Sequence, residues 1–157
     1  NSATLGGQCR TPDYDQNMPN IARILQDSRI IAIVGMSDKP ERASHEVADY
    51  LLQHGYRVLP VNPAIAGHDV LGQRAYATLT EAAAAVAPAR IDIVDCFRKS
   101  EDILPIAEEA IAVKAGCLWL QLDIINEQAA QLARAAGLDV VMDHCTKIEH
   151  RKLAVAA

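Results

Sequence analysis

Ile30-Ile31-Ala32-Ile33-Val34-Gly35-Met36-Ser37 decides the fold. Five apolar residues, four of them β-branched, suit a strand buried on both faces, and the glycine that closes the run lets the backbone turn sharply toward a helix. Nucleotide-binding α/β domains begin in this way, although the dinucleotide fingerprint uses three glycines where this turn has one. Downstream, the loop runs to Ala43 and a helix follows through His54, with Val47, Leu51 and Leu52 inward and Gly55 as its stop signal. Upstream, Pro19-Asn20 opens a short helix with Ile21, Ile24 and Leu25 on one face, ending by Asp27. Residues 1 to 17 are polar, with Gly6-Gly7 and Pro12, and are expected to form a flexible arm before a single domain over 18 to 157.

The alternation of strand and helix continues to the end of the chain. Arg57 to Val61 reads as strand two, closed by Asn62-Pro63 because proline cannot extend a central ladder. A broken stretch containing Gly67 and Gly72 leads to a short strand at Ala75 to Ala77, expected at a sheet edge. A helix from about Thr80 to Ala87 stops before Pro88, and Ile91 to Cys96 is the next buried strand. Ile103, Ile106, Ala107, Ala110 and Ile111 follow the helical period, with Pro105 suggesting that regular helix starts there. Cys117 to Gln121 is a strand, Asn126 caps a helix carrying Ala129, Leu132 and Ala133 inward, and Leu138 to Met142 is the last strand. Thr146 and Glu149 have capping-box spacing, so a final short helix is expected from Thr146. Parallel strands joined by right-handed crossovers accommodate this order, giving a single-domain Rossmann-like α/β fold. The expected doubly wound sheet has about six strands in order 3-2-1-4-5-6.

The 157 residues suffice for one core that buries roughly 70% of the unfolded surface. Half the residues are apolar, 22% are charged and the formal net charge is −5, which argues against a general nucleic-acid or anionic-membrane surface. No run approaches the roughly 18 apolar residues of a spanning helix, and Asn1 to Arg10 lacks the basic and apolar regions of a signal peptide. Cys9, Cys96, Cys117 and Cys145 form no Cys-x-x-Cys pair, so reduced thiols in a cytoplasmic protein are expected.

In a doubly wound sheet, ligands bind outside the carboxyl ends of the strands where strand order reverses. Here those ends are Gly35 to Ser44, Asn62-Pro63, Phe97-Arg98-Lys99, Leu122-Asp123 and Asp143-His144-Cys145. The first loop offers Gly35, Met36, Ser37, Lys39, Arg42 and Ser44 before a helix N-terminus. Its amides, hydroxyls and cations favour a phosphate. NAD enzymes need an acid near the end of strand two to hold the ribose, whereas that place holds Asn62-Pro63-Ala64-Ile65-Ala66. An NADP site would want a cation there, and none follows until Arg74. A phosphate-rich ligand recognised through the first loop fits better, with Lys39, Arg42, Arg98 and Lys99 around the crevice.

At this level of detail the sequence resembles a family. Ile33-Val34-Gly35-Met36-Ser37, Lys39 to Ser44, Val58 to Pro63, Val94-Asp95-Cys96-Phe97-Arg98, Trp119-Leu120-Gln121 and Met142 to His150 look like the small stand-alone CoA-binding proteins. These are similar in turn to the CoA-binding domain of the succinyl-CoA synthetase α subunit. The likeness spans about residues 20 to 153. It implies coenzyme A as ligand, with Gly35, Ser37, Lys39, Arg42 and Ser44 at its phosphates and Asn62, Pro63, Phe97 and Arg98 near the adenosine or the pantetheine path. Asp123 stands where the family often has glycine, and His144 where arginine is usual; both changes would oppose an anionic ligand. Larger synthetases of this kinship use a phosphorylated histidine on a further domain and a nucleotide-grasping subunit, so independent synthetase activity is not expected of this sequence.

The expected function is therefore binding of CoA or acyl-CoA without evident catalytic machinery. Alternatives are an NAD(P)-dependent oxidoreductase, a subunit of an acyl-CoA synthetase, and a CoA-linked thiol switch through Cys145, which precedes the amides of Thr146 to Ile148. A homodimer or a synthetase partner subunit is a possible assembly; nucleic acid and membrane are not expected partners. His144, Cys145 and His150 lack familiar metal spacing, Trp119 suits packing, and the acids Asp95 and Asp143 suit loop orientation.

Overall fold

The computed structural model describes residues 19–156, so the expected N-terminal arm lies outside the described residues. Its elements, in chain order, are α1 (Ile21–Asp27), β1 (Ile30–Val34), α2 (Ala43–Gln53), β2 (Arg57–Val61), β3 (Asp69–Val70), β4 (Gln73–Arg74) and α3 (Leu79–Val86). There follow β5 (Ile93–Cys96), α4 (Ile103–Ala112), β6 (Cys117–Leu120), α5 (Glu127–Ala135), β7 (Asp139–Val141) and α6 (Thr146–Ala156).

The main sheet has five strands in order β2-β1-β5-β6-β7. All its pairings are parallel. Period-two alternation divides the core cleanly. Ile31, Ile33, Val58, Ile93, Trp119 and Val141 face a cluster that includes Ile24 and Leu25 of α1 and Val47 and Leu51 of α2. Ala32, Leu59, Val94, Leu118 and Val140 face the other side, against Leu79 of α3, Ile103 and Ala107 of α4 and Ala129 and Ala133 of α5. Helices thus cover both faces, and every β1 residue is buried. The Rossmann-like fold expected from the sequence is present, with five strands in place of about six: β1 lies between β2 and β5, the order reverses there, and the strand expected outside β2 is not part of the sheet.

Four local readings need correction, the first being Leu132 of α5, expected inward but 40% exposed. The expected edge strand at Ala75 to Ala77 is a single parallel bridge between Tyr76 and Val61, with the Tyr76 N–H donating to the Pro60 carbonyl at 2.9 Å. Before it, β3 and β4 form a small antiparallel hairpin about Leu71 and Gly72, whose φ angles are 54° and 74°. Helix α4 starts at Ile103, ahead of Pro105, which is tolerated in the first turn where amides have no intrahelical partner. Helix α6 runs for 11 residues instead of being short. Its Thr146 hydroxyl does not form a capping box: it donates at 2.9 Å to the carboxylate of Asp95, 51 positions away.

Candidate functional site

Gly35 adopts a φ of +88°, and a Cβ there would lie 2.7 Å from the Phe97 carbonyl oxygen and 3.3 Å from Cδ of Arg98. The turn after β1 therefore fits flush against the end of β5, and only glycine satisfies both conditions. Beyond it, short bonds lock the loop. The Ser37 N–H donates to Oγ of Ser44 at 2.9 Å, and the Lys39 N–H donates to Oγ of Ser37 at 3.1 Å. Asn62 ties this loop to the end of β2 through a 2.9 Å bond from its Nδ2 to the Met36 carbonyl. Its Oδ1 accepts from Ala64 N at 3.0 Å and from the Arg98 guanidinium at 3.4 Å. Arg42 occupies the N-cap of α2 without a side-chain capping bond; the His45 amide donates to the Arg42 carbonyl at 3.1 Å, which leaves those of Ala43 and Ser44 to meet an anion.

Two hollows flank Arg98. The larger, about 620 Å³, is lined by Phe97, Arg98, Lys99, Gln121, Cys145 and Lys147, with Leu122, Ile124 and Ile148 supplying apolar surface. The smaller, about 300 Å³, includes Val61, Pro63, Thr78, Leu79 and Ile106. Across the larger mouth Lys147 of α6 pairs with Glu46 of α2 at 3.4 Å. Arg98, Lys99, Lys147 and Arg151 outnumber the carboxylate of Glu46 along that lining, so the field favours an anionic ligand.

Beneath the larger hollow lies a polar ring that links three elements. Asp95 is fully buried in β5. Burial pushes its carboxyl up to about 7, although hydrogen bonds from Gln121 and Thr146 pull the other way. Gln121, at the end of β6, donates through Nε2 to Asp95 and to Oγ1 of Thr146. Burial also holds the thiols of Cys96 and Cys117 well above the ordinary range. Cys145 is only half-buried and lines the hollow.

Phe97, Arg98 and Cys145 thus line the larger hollow and Pro63 and Arg98 the smaller, while Gly35, Ser37, Ser44 and Asn62 line neither and are joined to them through the Gly35 contact with Phe97, the Ser37–Ser44 bond and the Asn62–Arg98 bond. The Met36 side chain is buried in the core and only its carbonyl meets Asn62, so it supports the loop from beneath. Lys39 and Arg42 project from the surface of the loop. Gln121, Lys147 and Arg151 are additional cleft residues that the sequence reading did not single out. A lone glutamine ending an apolar strand was the available signal, as was a charged residue within Ile93–Cys96.

Asp123 has a φ of +67°, a backbone conformation in which glycine is unstrained and aspartate is tolerated. Its N–H bonds to Oδ1 of Asp143 at 2.7 Å, so Asp143 does orient a loop. The Nδ1 atom of His144 lies 2.7 Å from the Met142 carbonyl, while that of His150 lies 2.8 Å from the Tyr50 hydroxyl, in separate networks. Burial, reinforced by the neighbouring His54, lowers the His150 pKa. Trp119 is fully buried and donates through Nε1 to the His144 carbonyl at 2.8 Å.

This geometry coincides with a sequence profile for a CoA binding domain, which matches residues 29–151. The chain belongs to that CoA binding domain family. Within reach of it is YneT of Bacillus subtilis (strain 168), an uncharacterised protein 41% identical over 130 residues, covering 83% of this chain and 91% of YneT. The solved structure of a hypothetical protein from Pyrococcus horikoshii OT3 is 35% identical, covers 98% of each chain and superposes with a TM-score of 0.76. A dinucleotide-forming acetyl-coenzyme A synthetase 1 from Ca. Korarchaeum cryptofilum, solved with phosphate and ADP, is similar over 77% of this chain and 26% of its own. At 19% identity and a TM-score of 0.60, that likeness is one of fold.

Proposed function

We propose that this protein binds CoA or acyl-CoA as a non-catalytic module. In this reading the phosphates lie on the first loop, adenosine lies over Asn62 and Pro63, and the pantetheine arm runs toward Phe97 and Cys145. The observation that carries it is the pair of hollows on either side of Arg98, beside a glycine turn and an uncapped helix N-terminus. A bipartite ligand with anionic groups near its middle suits that division. The apolar surface of Leu122, Ile124 and Ile148 gives an acyl group a place to lie. We also propose a cytoplasmic location, which suits the free thiols of Cys96, Cys117 and Cys145. Among the described residues no helix is long and apolar enough to cross a membrane. Calorimetry with CoA, acetyl-CoA, NAD and ATP tests the reading. Tight binding of the two CoA species alone supports it, and absence of CoA binding at millimolar ligand removes it.

A second reading makes Cys145 a thiol switch, favoured by its position on the cleft wall while Cys96 and Cys117 are sealed in the core. The Cys145 thiolate attacks the disulfide of oxidised CoA, forming a mixed protein–CoA disulfide and releasing one CoA thiolate. Intact mass then rises by one CoA, and Cys145→Ser abolishes the adduct. An adduct that persists in this variant excludes Cys145. A role as the CoA-binding subunit of an acyl-CoA synthetase draws on the fold likeness to the synthetase above, and acyl-CoA turnover on adding a partner subunit is its test.

A further inference from the structure

Gln121 is 5% exposed, yet it lines the larger hollow. Its amide nitrogen faces inward, donating to Asp95 and to Oγ1 of Thr146, the latter at 3.2 Å from Nε2. Thr146 in turn donates to the second oxygen of Asp95 at 2.9 Å. While Asp95 is ionised this ring fixes the amide orientation, because a reversed amide would set its carbonyl oxygen against a carboxylate. No hydrogen bond to Gln121 Oε1 occurs among the described residues, and Oε1 is not one of the sealed, unsatisfied side-chain atoms, of which Arg134 Nε is the one described. Oε1 therefore opens on the hollow as an oriented acceptor in a largely apolar wall.

We infer that Gln121 is a specificity-determining residue whose Oε1 accepts a hydrogen bond from an amide N–H of the pantetheine arm. This rests on the CoA reading given above and adds a residue and a contact to it. The arm carries two secondary amides, whereas in that reading the adenosine and phosphate portion lies over the first loop, Asn62 and Pro63, away from Gln121. An occupant without a donor displaces water from Oε1 and leaves the acceptor unmet, a penalty that discriminates between ligands of similar size. Asp95 and Thr146 act as positioning residues that aim the amide.

The test compares CoA, acetyl-CoA and adenosine 3′-phosphate 5′-diphosphate, the portion lacking the arm, by calorimetry on the native protein and on Gln121→Met. Loss of one neutral hydrogen bond should weaken CoA and acetyl-CoA by about three- to tenfold and leave the fragment within about twofold. Because Gln121→Met also strips Asp95 of a donor, the double variant Asp95→Leu/Gln121→Met is measured alongside. It removes the buried acid together with its partner and should show the same split. Equal losses for all three ligands, or unchanged CoA affinity, overturn the inference, since a purely structural role does not distinguish the arm. A loss confined to CoA assigns the donor to the thiol and overturns the amide contact. Failure of the native protein to bind CoA at all removes the crevice reading, and this contact with it.

Discussion

The two walls of the crevice are built on different scales. The first loop is held by bonds between residues two and seven positions apart, Lys39 with Ser37 and Ser37 with Ser44. The opposite wall is held by Asp95, Gln121 and Thr146, joined across 25 and 51 positions. The near wall adds to these local bonds one glycine seated against Phe97 and one tie from Asn62 to the Met36 carbonyl. The far wall exists only once β5, β6 and α6 have assembled. Exposed cations and amides that attract an anion therefore sit on a locally specified loop, while the oriented amide sits where the whole fold guarantees its position.

Breaking the far wall should give the largest effect. Asp95 holds its proton up to about 7 when folded, against an ordinary 3.8, so the folded chain binds that proton more tightly. Its contribution to stability is full below the unfolded value and is lost as pH rises through the folded one. Relative to Asp95→Asn, the native protein should lose roughly 4 kcal/mol of unfolding free energy between about pH 4 and about pH 8, read from urea midpoints. Parallel curves would show that Asp95 titrates alike in both states.

Breaking the near wall at its glycine comes next. Gly35→Ala combines a φ of +88° with a Cβ 2.7 Å from a carbonyl oxygen. It should cost about 3 kcal/mol in denaturant unfolding. Native-like stability would mean that the loop and Phe97 separate freely.

Arg98→Ala tests the boundary between the hollows, where the guanidinium meets Asn62 at 3.4 Å. CoA affinity should fall about tenfold with the unfolding midpoint little changed, because charge-assisted bonds to phosphate are stronger than neutral ones. The smallest effect belongs to Ser44→Ala, which removes the acceptor of the Ser37 N–H and should cost about 1 kcal/mol. Amide exchange confined to the first loop would confirm that this bond acts locally.

The same difference of scale governed what the sequence revealed. Continuous apolar runs such as Ile30–Val34, and caps such as Asn126, whose side chain accepts from Ala129, announce themselves within a few residues. Gly35, Phe97, Arg98 and Cys145 were legible because strand ends in this topology converge. The β3–β4 hairpin was hidden because its turn places Leu71 at positive φ, where asparagine, aspartate or glycine is the usual signal. Thr146 carried a helix-capping pattern, but a carboxylate 51 positions away claimed its hydroxyl, and no local window contains that competitor. Asp95 was visible as an acid in an apolar strand. Its partners required the sheet order.

Pro60 shapes how the molecule meets copies of itself. Its carbonyl already accepts from Tyr76, and its nitrogen, on the same side of the strand, has no hydrogen to offer. A neighbouring chain seeking to add a strand beside β2 would find a missing donor, an occupied acceptor and, at Asn62, an N–H already given to the Tyr76 carbonyl at 2.9 Å. The opposite margin, β7, offers only three residues. The sheet is thus poorly suited to runaway edge-to-edge aggregation.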